Sequence, residues 1–352
     1  MEKVREKVYP AEIMAIVKAD AYGHGLIEVS RTLTENGVKF LAVARITEVE
    51  ELVKAGIKAN IILFGALQYD EMEYAINKGI RISIVDHSDV DKVAKAVERE
   101  KTKCVAHVKV DTGMNRVGIK PECIDEVVEK LKTIDNLILE GIYSHFSTSD
   151  EKDKTFANLQ LKRFKEVLSR LIAKGYNFKY IHMANSGAIL DLPSSYFNMV
   201  RPGITLYGNY PSLETTESIK LKPVMKFITH VSIVRFVSKG SYISYGRKYK
   251  ANKDTNIAVL PVGYADGYSR AFTNKGRVLI KGKLYPVVGA VTMDQLMVDI
   301  GNDNIQPGDK AVLWGNDSFR EINVTNLAEL IGMVPYELTC SVSKRVARIY
   351  KY

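Results

Sequence analysis

The sequence predicts an α/β fold: an N-terminal (β/α)8 barrel followed by a mostly β C-terminal domain. Three observations lead there. The chain has 352 residues, about two domains at roughly 150 residues each. Short apolar runs alternate with helical patterns through the first part of the chain, and beyond Lys222-Pro223 the helical patterns largely stop. The expected domains are therefore 1–222 and 223–352.

Eight apolar runs occupy residues 13–17, 40–44, 61–64, 82–85, 104–110, 137–143, 180–183 and 198–201. Several are apolar throughout, as parallel strands covered on both faces require. Between them, Gly37, Gly56, Gly79 and Gly175 each follow a helical pattern where a left-handed C-cap is wanted, and Thr47 with Glu50 forms a capping-box pair. Eight strands alternating with helices favour a closed barrel over a doubly wound open sheet. In the second domain, apolar runs at 224–237, 257–262, 277–288, 296–300 and 310–314 are linked by turn material such as Gln306-Pro307-Gly308-Asp309. A short helical pattern lies near 325–331, and the basic tail Lys344-Arg345-Val346-Ala347-Arg348 is expected to be a solvated edge.

Composition excludes several classes. Hydrophobic residues make up 46% and charged residues 26%, an ordinary globular balance. The net charge of +9 is spread without long runs of one sign, which mildly favours anionic ligands and does not mark a nucleic-acid binder. Cys104, Cys123 and Cys340 lack disulfide-framework or Cys/His metal-ligand spacing, so no metal is expected and a reducing cytoplasm fits. No stretch approaches the roughly 18 apolar residues of a membrane span.

Chemistry in a barrel gathers at the C-terminal ends of its strands. Six of those ends are polar: Lys18, Arg45, Asp111, His145, Asn185-Ser186 and Arg201. A lysine at the lip of a low-dielectric barrel has its ammonium form disfavoured, which frees the amine for Schiff-base chemistry with an aldehyde. Tyr22 supplies a hydroxyl, and Gly23 and Gly25 allow the backbone to turn beside a ligand. Ser186-Gly187 and Arg201-Pro202-Gly203-Ile204 are turns whose N–H groups suit a phosphate. Taken singly, Lys18 reads as a surface lysine, the glycines as turn requirements and His145 as a core histidine, while Arg201 fits a ligand contact and a salt bridge or cap equally well. Together they suggest a ligand with both an aldehyde and a phosphate, which is pyridoxal 5′-phosphate.

With these residues in view, the sequence resembles the alanine racemase family. Val17-Lys18-Ala19-Asp20-Ala21-Tyr22-Gly23-His24-Gly25 is similar to the family's cofactor-lysine signature. It is joined, in the family's order, by Met114-Asn115-Arg116-Val117-Gly118, Arg201-Pro202-Gly203-Ile204, Tyr245-Gly246, Gly263-Tyr264-Ala265-Asp266-Gly267-Tyr268, Met293-Asp294-Gln295 and Pro335-Tyr336-Glu337. One departure stands out: only 17 residues precede Lys18, where family members usually have a further strand and helix.

The resemblance implies an internal aldimine on Lys18, with the phosphate held by Tyr22, Ser186, Tyr336 and the backbone at Gly203-Ile204. Asn185 and His145 join the cofactor-binding set, and Arg201 would donate to the pyridine nitrogen. A permanently protonated arginine cannot keep that nitrogen protonated as a carboxylate does, so carbanion delocalisation is restrained and racemisation is favoured over transamination. Racemisation needs a base on each face of Cα. By resemblance these are Lys18 and Tyr245 of a second subunit, with His145 linking the tyrosine to Arg201. Arg116 and the backbone at Met293 of the partner subunit would hold the substrate carboxylate, and Tyr264 would narrow the entrance to a size suited to alanine. Lys109 would carry a carbamate that positions Arg116. The implied protein is a cytoplasmic homodimer with shared active sites, which interconverts L- and D-alanine and supplies D-alanine for peptidoglycan.

Overall fold

Eight short parallel strands build the first architecture: β1 (Glu12–Ile16), β2 (Phe40–Val43), β3 (Asn60–Leu63), β4 (Arg81–Ile84), β5 (Cys104–Lys109), β6 (Leu137–Tyr143), β7 (Tyr180–His182) and β8 (Met199–Val200). They close in sequence order, with β8 pairing back onto β1 through Ile13 and Val200. The structure, a computed structural model, describes residues 1–317 and 319–351. Each predicted apolar run is a barrel strand. The reason is burial on both faces: Met14, Ala15, Leu41, Ala42, Val43, Ile62 and Leu63 have no exposed surface.

The helices between the strands end as their sequences demand. Gly37, Gly56, Gly79 and Gly175 all take left-handed φ, from +66° to +86°. The capping pair expected from Thr47 and Glu50 does not form. Helix α4 (Ile46–Lys54) begins one residue before Thr47, and Glu48 accepts from the N–H groups of Ala44 at 2.8 Å and Arg45 at 3.1 Å. Glu48 thus closes both the helix start and the end of the β2 strand.

By contacts, the chain forms two units. The first comprises Met1–Ala21, Gly25–Leu206 and Glu214–Lys220; the second comprises Tyr22–His24, Tyr207–Leu213 and the chain from Leu221 onward. In the second unit, β13 (Thr255–Leu260) lies between β10 (Ile233–Val237) and β16 (Leu296–Gly301), all antiparallel. A second sheet runs β15 (Lys283–Pro286), β14 (Arg277–Ile280), β17 (Lys310–Asn316) and β18 (Glu321–Ile322), with β9 (Phe227–His230) also pairing β17. A separate ladder joins β11 (Tyr242–Ile243) to β12 (Tyr249–Lys250). Trp314, Tyr268 and Phe272 are fully buried in this unit's core.

The expected helical pattern near 325–331 is α10 (Val324–Leu330), capped by the Asn323 side chain, which accepts from Thr325 N–H at 2.8 Å. Pro335 opens one more helix, α11 (Pro335–Ser341), which the periodicity did not announce. The basic tail is not simply a solvated edge. Arg345 donates to Asp294 at 2.7 Å, and Arg348 folds back onto backbone carbonyls. Among the described residues, no helix is long and apolar enough to cross a membrane.

Candidate active site

Lys18 follows Val17, the buried residue just past β1, and opens an unusual segment, α2 (Lys18–Gly23). Residues 19–22 all have left-handed φ, between +51° and +55°. For L-residues this conformation costs about 1–2 kcal/mol each, so the turn must be held from outside. Glu48 accepts the Ala19 N–H at 2.5 Å, and Asp20 accepts the Leu26 N–H at 2.8 Å. Gly23 continues the turn at φ +80°, and a Cβ there would land 2.0 Å from the Thr339 carbonyl oxygen.

Around the barrel's C-terminal ends the sequence gathers cations. Lys109 ends β5 with 4% of its surface exposed, and burial together with the nearby Arg116 pushes its ammonium down to about 8. No carboxylate lies within ion-pair distance of Lys109 among the described residues. Arg116 itself is exposed on the loop after β5, whose shape Asp111 sets by accepting from Gly113 N–H at 3.0 Å and Asn115 N–H at 3.1 Å. His145 follows β6. Burial holds it well below the usual imidazole range, and the positive charges of Arg201, Lys109, Arg116 and Lys18 act in the same direction.

Arg201 is the anchor of this cluster, with 3% of its surface exposed. Its Nη2 donates to the carbonyls of Ser144 at 2.6 Å and Met183 at 3.0 Å and meets His145 Nδ1 at 3.0 Å. Its Nη1 meets His182 Nδ1 at 2.8 Å. Burial pushes the guanidinium down to about 10, so it stays charged at neutral pH. The Tyr143 ring lies 5.4 Å from Arg201 and 6.0 Å from Lys109, offering its negative face to both.

Behind Arg201 a line of buried polar groups crosses the barrel interior. His182 contacts His107 at 2.8 Å, His107 contacts Glu140 at 3.3 Å, and Glu140 pairs with Arg81 at 2.6 Å. An arginine can only donate and a carboxylate can only accept. Both histidines are therefore neutral, each with its proton on Nε2. Burial agrees, since it lowers both below the ordinary imidazole range. Arg81 and His107 hold Glu140 down at about 2 against its burial. Gly141 makes room for the line: a Cβ there would sit 2.5 Å from His107 Nδ1.

Ser186 begins α9 (Ser186–Asp191), where Asn185 caps the helix by accepting from Ala188 N–H at 3.1 Å. The buried Ser186 hydroxyl oxygen accepts from Gly203 N–H at 2.9 Å and lies 3.2 Å from the Thr205 hydroxyl. Ile204 is fully buried beside them. The Ser186 and Thr205 hydroxyls and the Gly203 amide thus cluster at the end of β8.

In the second unit, Tyr22 packs between Tyr207 and Tyr336, with ring centroids 5.0 and 5.7 Å away. Tyr264 and Met293 lie on adjoining segments: Tyr264 N–H donates to Thr292 O at 3.0 Å and Ala265 N–H to Met293 O at 3.1 Å. Tyr245 opens a short turn between β11 and β12. Tyr245 is 76% exposed, Met293 52% and Tyr264 43%.

Sequence reading missed Glu48, Tyr143 and the line His182–His107–Glu140. The signal was present: polar residues inside otherwise apolar parallel strands, where burial demands a partner.

Comparison with known proteins identifies the family. The family model described as "Alanine racemase, N-terminal domain" matches residues 1–211, and "Alanine racemase, C-terminal domain" matches residues 224–350. Alanine racemase 2 of Caldanaerobacter subterraneus subsp. tengcongensis is 40% identical over 343 residues, covering 97% of this chain and 88% of that protein. The structure of alanine racemase from Clostridium difficile 630 superposes with a TM-score of 0.91 at 36% identity, over 98% of this chain and 90% of that one. That of alanine racemase from Bartonella henselae, with covalently bound pyridoxal phosphate, gives 0.89 at 28% identity, over 99% of this chain and 95% of that one. Fold, motifs and relatives converge, and the chain belongs to the alanine racemase family.

Proposed function

We propose that this racemase interconverts L- and D-alanine with pyridoxal 5′-phosphate bound in the barrel mouth, and that a second copy of the chain completes each site. The observation that carries the reading is the unneutralised positive mouth. Lys109 and Arg201 are both buried and neither pairs with a carboxylate among the described residues. Such a cluster calls for anionic ligands, and the cofactor phosphate and the substrate carboxylate are two of them. The residues present fit the cofactor: Lys18 for the covalent link, Tyr22, Asn185, Ser186, Gly203, Ile204 and Tyr336 for the phosphate end, and Arg201 and His145 for the ring. When bound through Lys18, the cofactor supplies an electron sink that acidifies the substrate Cα–H.

The chain's own residues do the rest. Lys18 takes or returns the proton on one face of Cα, and Tyr245 from the second copy serves the other. His145 accepts from Arg201 at Nδ1, so its Nε2–H is the donor available to the tyrosine oxygen, and hydrogen bonding to the phenolate favours that charged form. Arg201, donating and never accepting, leaves the cofactor nitrogen unprotonated. Arg116 and the backbone at Met293 of the partner subunit bind the substrate carboxylate, a carbamate on Lys109 positions Arg116, and Tyr264 limits side-chain size. The exposure of Tyr245, Met293 and Tyr264 supports a shared site, since all three would gain burial in a dimer. The role follows: a cytoplasmic source of D-alanine for peptidoglycan.

The test is to purify the protein, measure D-alanine formation from L-alanine, reduce it with borohydride and map the cofactor-labelled peptide. The expected result is racemisation with label on Lys18. Label on another residue overturns the assignment.

A further inference from the structure

The C-terminal segment holds a cation that the reaction does not use. Arg348 is partly buried, and its guanidinium makes five hydrogen bonds, all to backbone carbonyls. Nη1 donates to Ser343 at 2.6 Å and Val346 at 2.9 Å; Nη2 donates to Val342 at 2.6 Å and Gly23 at 3.2 Å; Nε donates to Gly23 at 3.3 Å. Two of these carbonyls, Val342 and Ser343, directly follow α11, whose orphan carbonyls favour a cation. Gly23 ends the left-handed turn that carries Tyr22 at φ +55°. The neighbouring Arg345 behaves differently, pairing with the carboxylates of Asp294 at 2.7 Å and Asp266 at 3.5 Å, whereas Arg348 has no carboxylate partner among the described residues.

We propose that Arg348 is a positioning residue that clasps the Tyr22–Gly23 turn onto the end of α11, fixing Tyr22 against Tyr336. The inference rests on the reading of those two tyrosines as the cofactor-phosphate pair. A left-handed conformation, disfavoured at each non-glycine residue, relaxes unless its end is tied down, and Gly23 has no side chain with which to do so. No side chain fits there, because a Cβ would stand 2.0 Å from the Thr339 carbonyl oxygen. A planar fork with five donors matches four carbonyls arriving from two segments. A lysine, with three donors on one atom, cannot span both.

Two measurements on the holoenzyme test the clasp. In Arg348→Ala, amide hydrogen exchange over residues 19–24 should quicken, and pyridoxal phosphate should leave the diluted enzyme about tenfold faster, the scale of losing charge-assisted hydrogen bonds. Arg348→Lys, a milder change should Arg348→Ala fail to fold, should fall between the two. Adding Arg348→Ala to Tyr22→Phe should speed release no further, because both act through one phenol. Unchanged exchange at 19–24, or an additive effect in the double variant, overturns the proposal. Tyr22→Phe alone tests the underlying site reading: release at the parental rate from that variant, whatever Arg348→Ala does to exchange, sinks the phosphate assignment and with it the link from clasp to cofactor.

Discussion

The barrel mouth and the exposed turns of the second unit are built on opposite principles. At the mouth, Arg201 is tied to two histidines and two carbonyls and is 3% exposed. Tyr245, the residue assigned the complementary proton, stands 76% exposed on a three-residue turn. One half of the proposed chemistry is finished within a single chain, and the other is offered outward. That difference predicts which substitutions cost stability and which cost only rate.

The largest effects should come from the two proposed bases. Lys18→Ala and Tyr245→Phe should each lower kcat by more than about a thousandfold, as loss of a covalent or acid–base partner does. Mixing the two inactive proteins and allowing subunits to exchange should restore about a quarter of parental activity, because half the dimers then hold one intact site of two. No recovery, despite proven exchange, would break the idea of a shared site. Stability divides the regions next. Arg201→Lys should lower unfolding free energy by about 3 kcal/mol or more, whereas Tyr245→Phe should change it by less than about 1 kcal/mol. Equal losses in denaturant titrations would erase the contrast.

The two regions were also unequally legible in the sequence. Strand identity came through because buried parallel strands leave unbroken apolar runs, as in Phe40–Val43 and Asn60–Leu63. Lys18 and Arg201 were visible as polar residues ending such runs. What could not be read was conformation set by distant partners. The left-handed turn at residues 19–23 is made of Ala, Asp, Ala, Tyr and Gly, and only the last prefers positive φ. One of its holds is Glu48, which is 29 positions from the Ala19 amide it accepts. Helix α11 is a single short stretch behind a proline, too brief for a periodic signal. Arg348 looked like one more cation in a basic tail because its partners are carbonyls, which leave no mark on sequence.

The buried line behind Arg201 gives a pH prediction of intermediate size. His107 and His182 have no exposed surface, and burial depresses both below the ordinary imidazole value of 6.5. Below about pH 6.5 the unfolded chain takes up protons that the folded chain refuses, so stability falls as the pH drops. Each histidine contributes a slope of up to about 1.4 kcal/mol per pH unit. Above that pH their contribution is flat. Glu140, held at about 2, adds a second loss as the pH falls from about 4.5 toward that value. Urea titrations between pH 7.5 and 5.5 should show the first slope, and His107→Gln should reduce it by up to about 1.4 kcal/mol per pH unit, the share of one histidine. An unchanged slope in that variant would mean that the line is not what resists protonation.

The smallest effect concerns Lys109, and it reaches both regions through the substrate carboxylate. An ordinary lysine near 10.4 is almost wholly protonated at pH 7, but one held at about 8 is a free amine roughly one time in ten. Only the free amine can attack CO2. The new N–C bond leaves a carbamate, one N–H proton goes to solvent, and a cation that repels Arg116 becomes an anion that attracts it. Because carbamate formation needs the neutral amine, it should increase as the pH rises through 8. Carbon-13-labelled bicarbonate should then give one bound carbamate resonance per chain, lost in Lys109→Met. Stripping CO2 should lower kcat/KM by up to about fivefold, the scale of a partly exposed ion pair, with recovery on adding bicarbonate. A fully active enzyme without that resonance would leave Lys109 a bare cation, and the task of positioning Arg116 would pass to Asp111 and its loop.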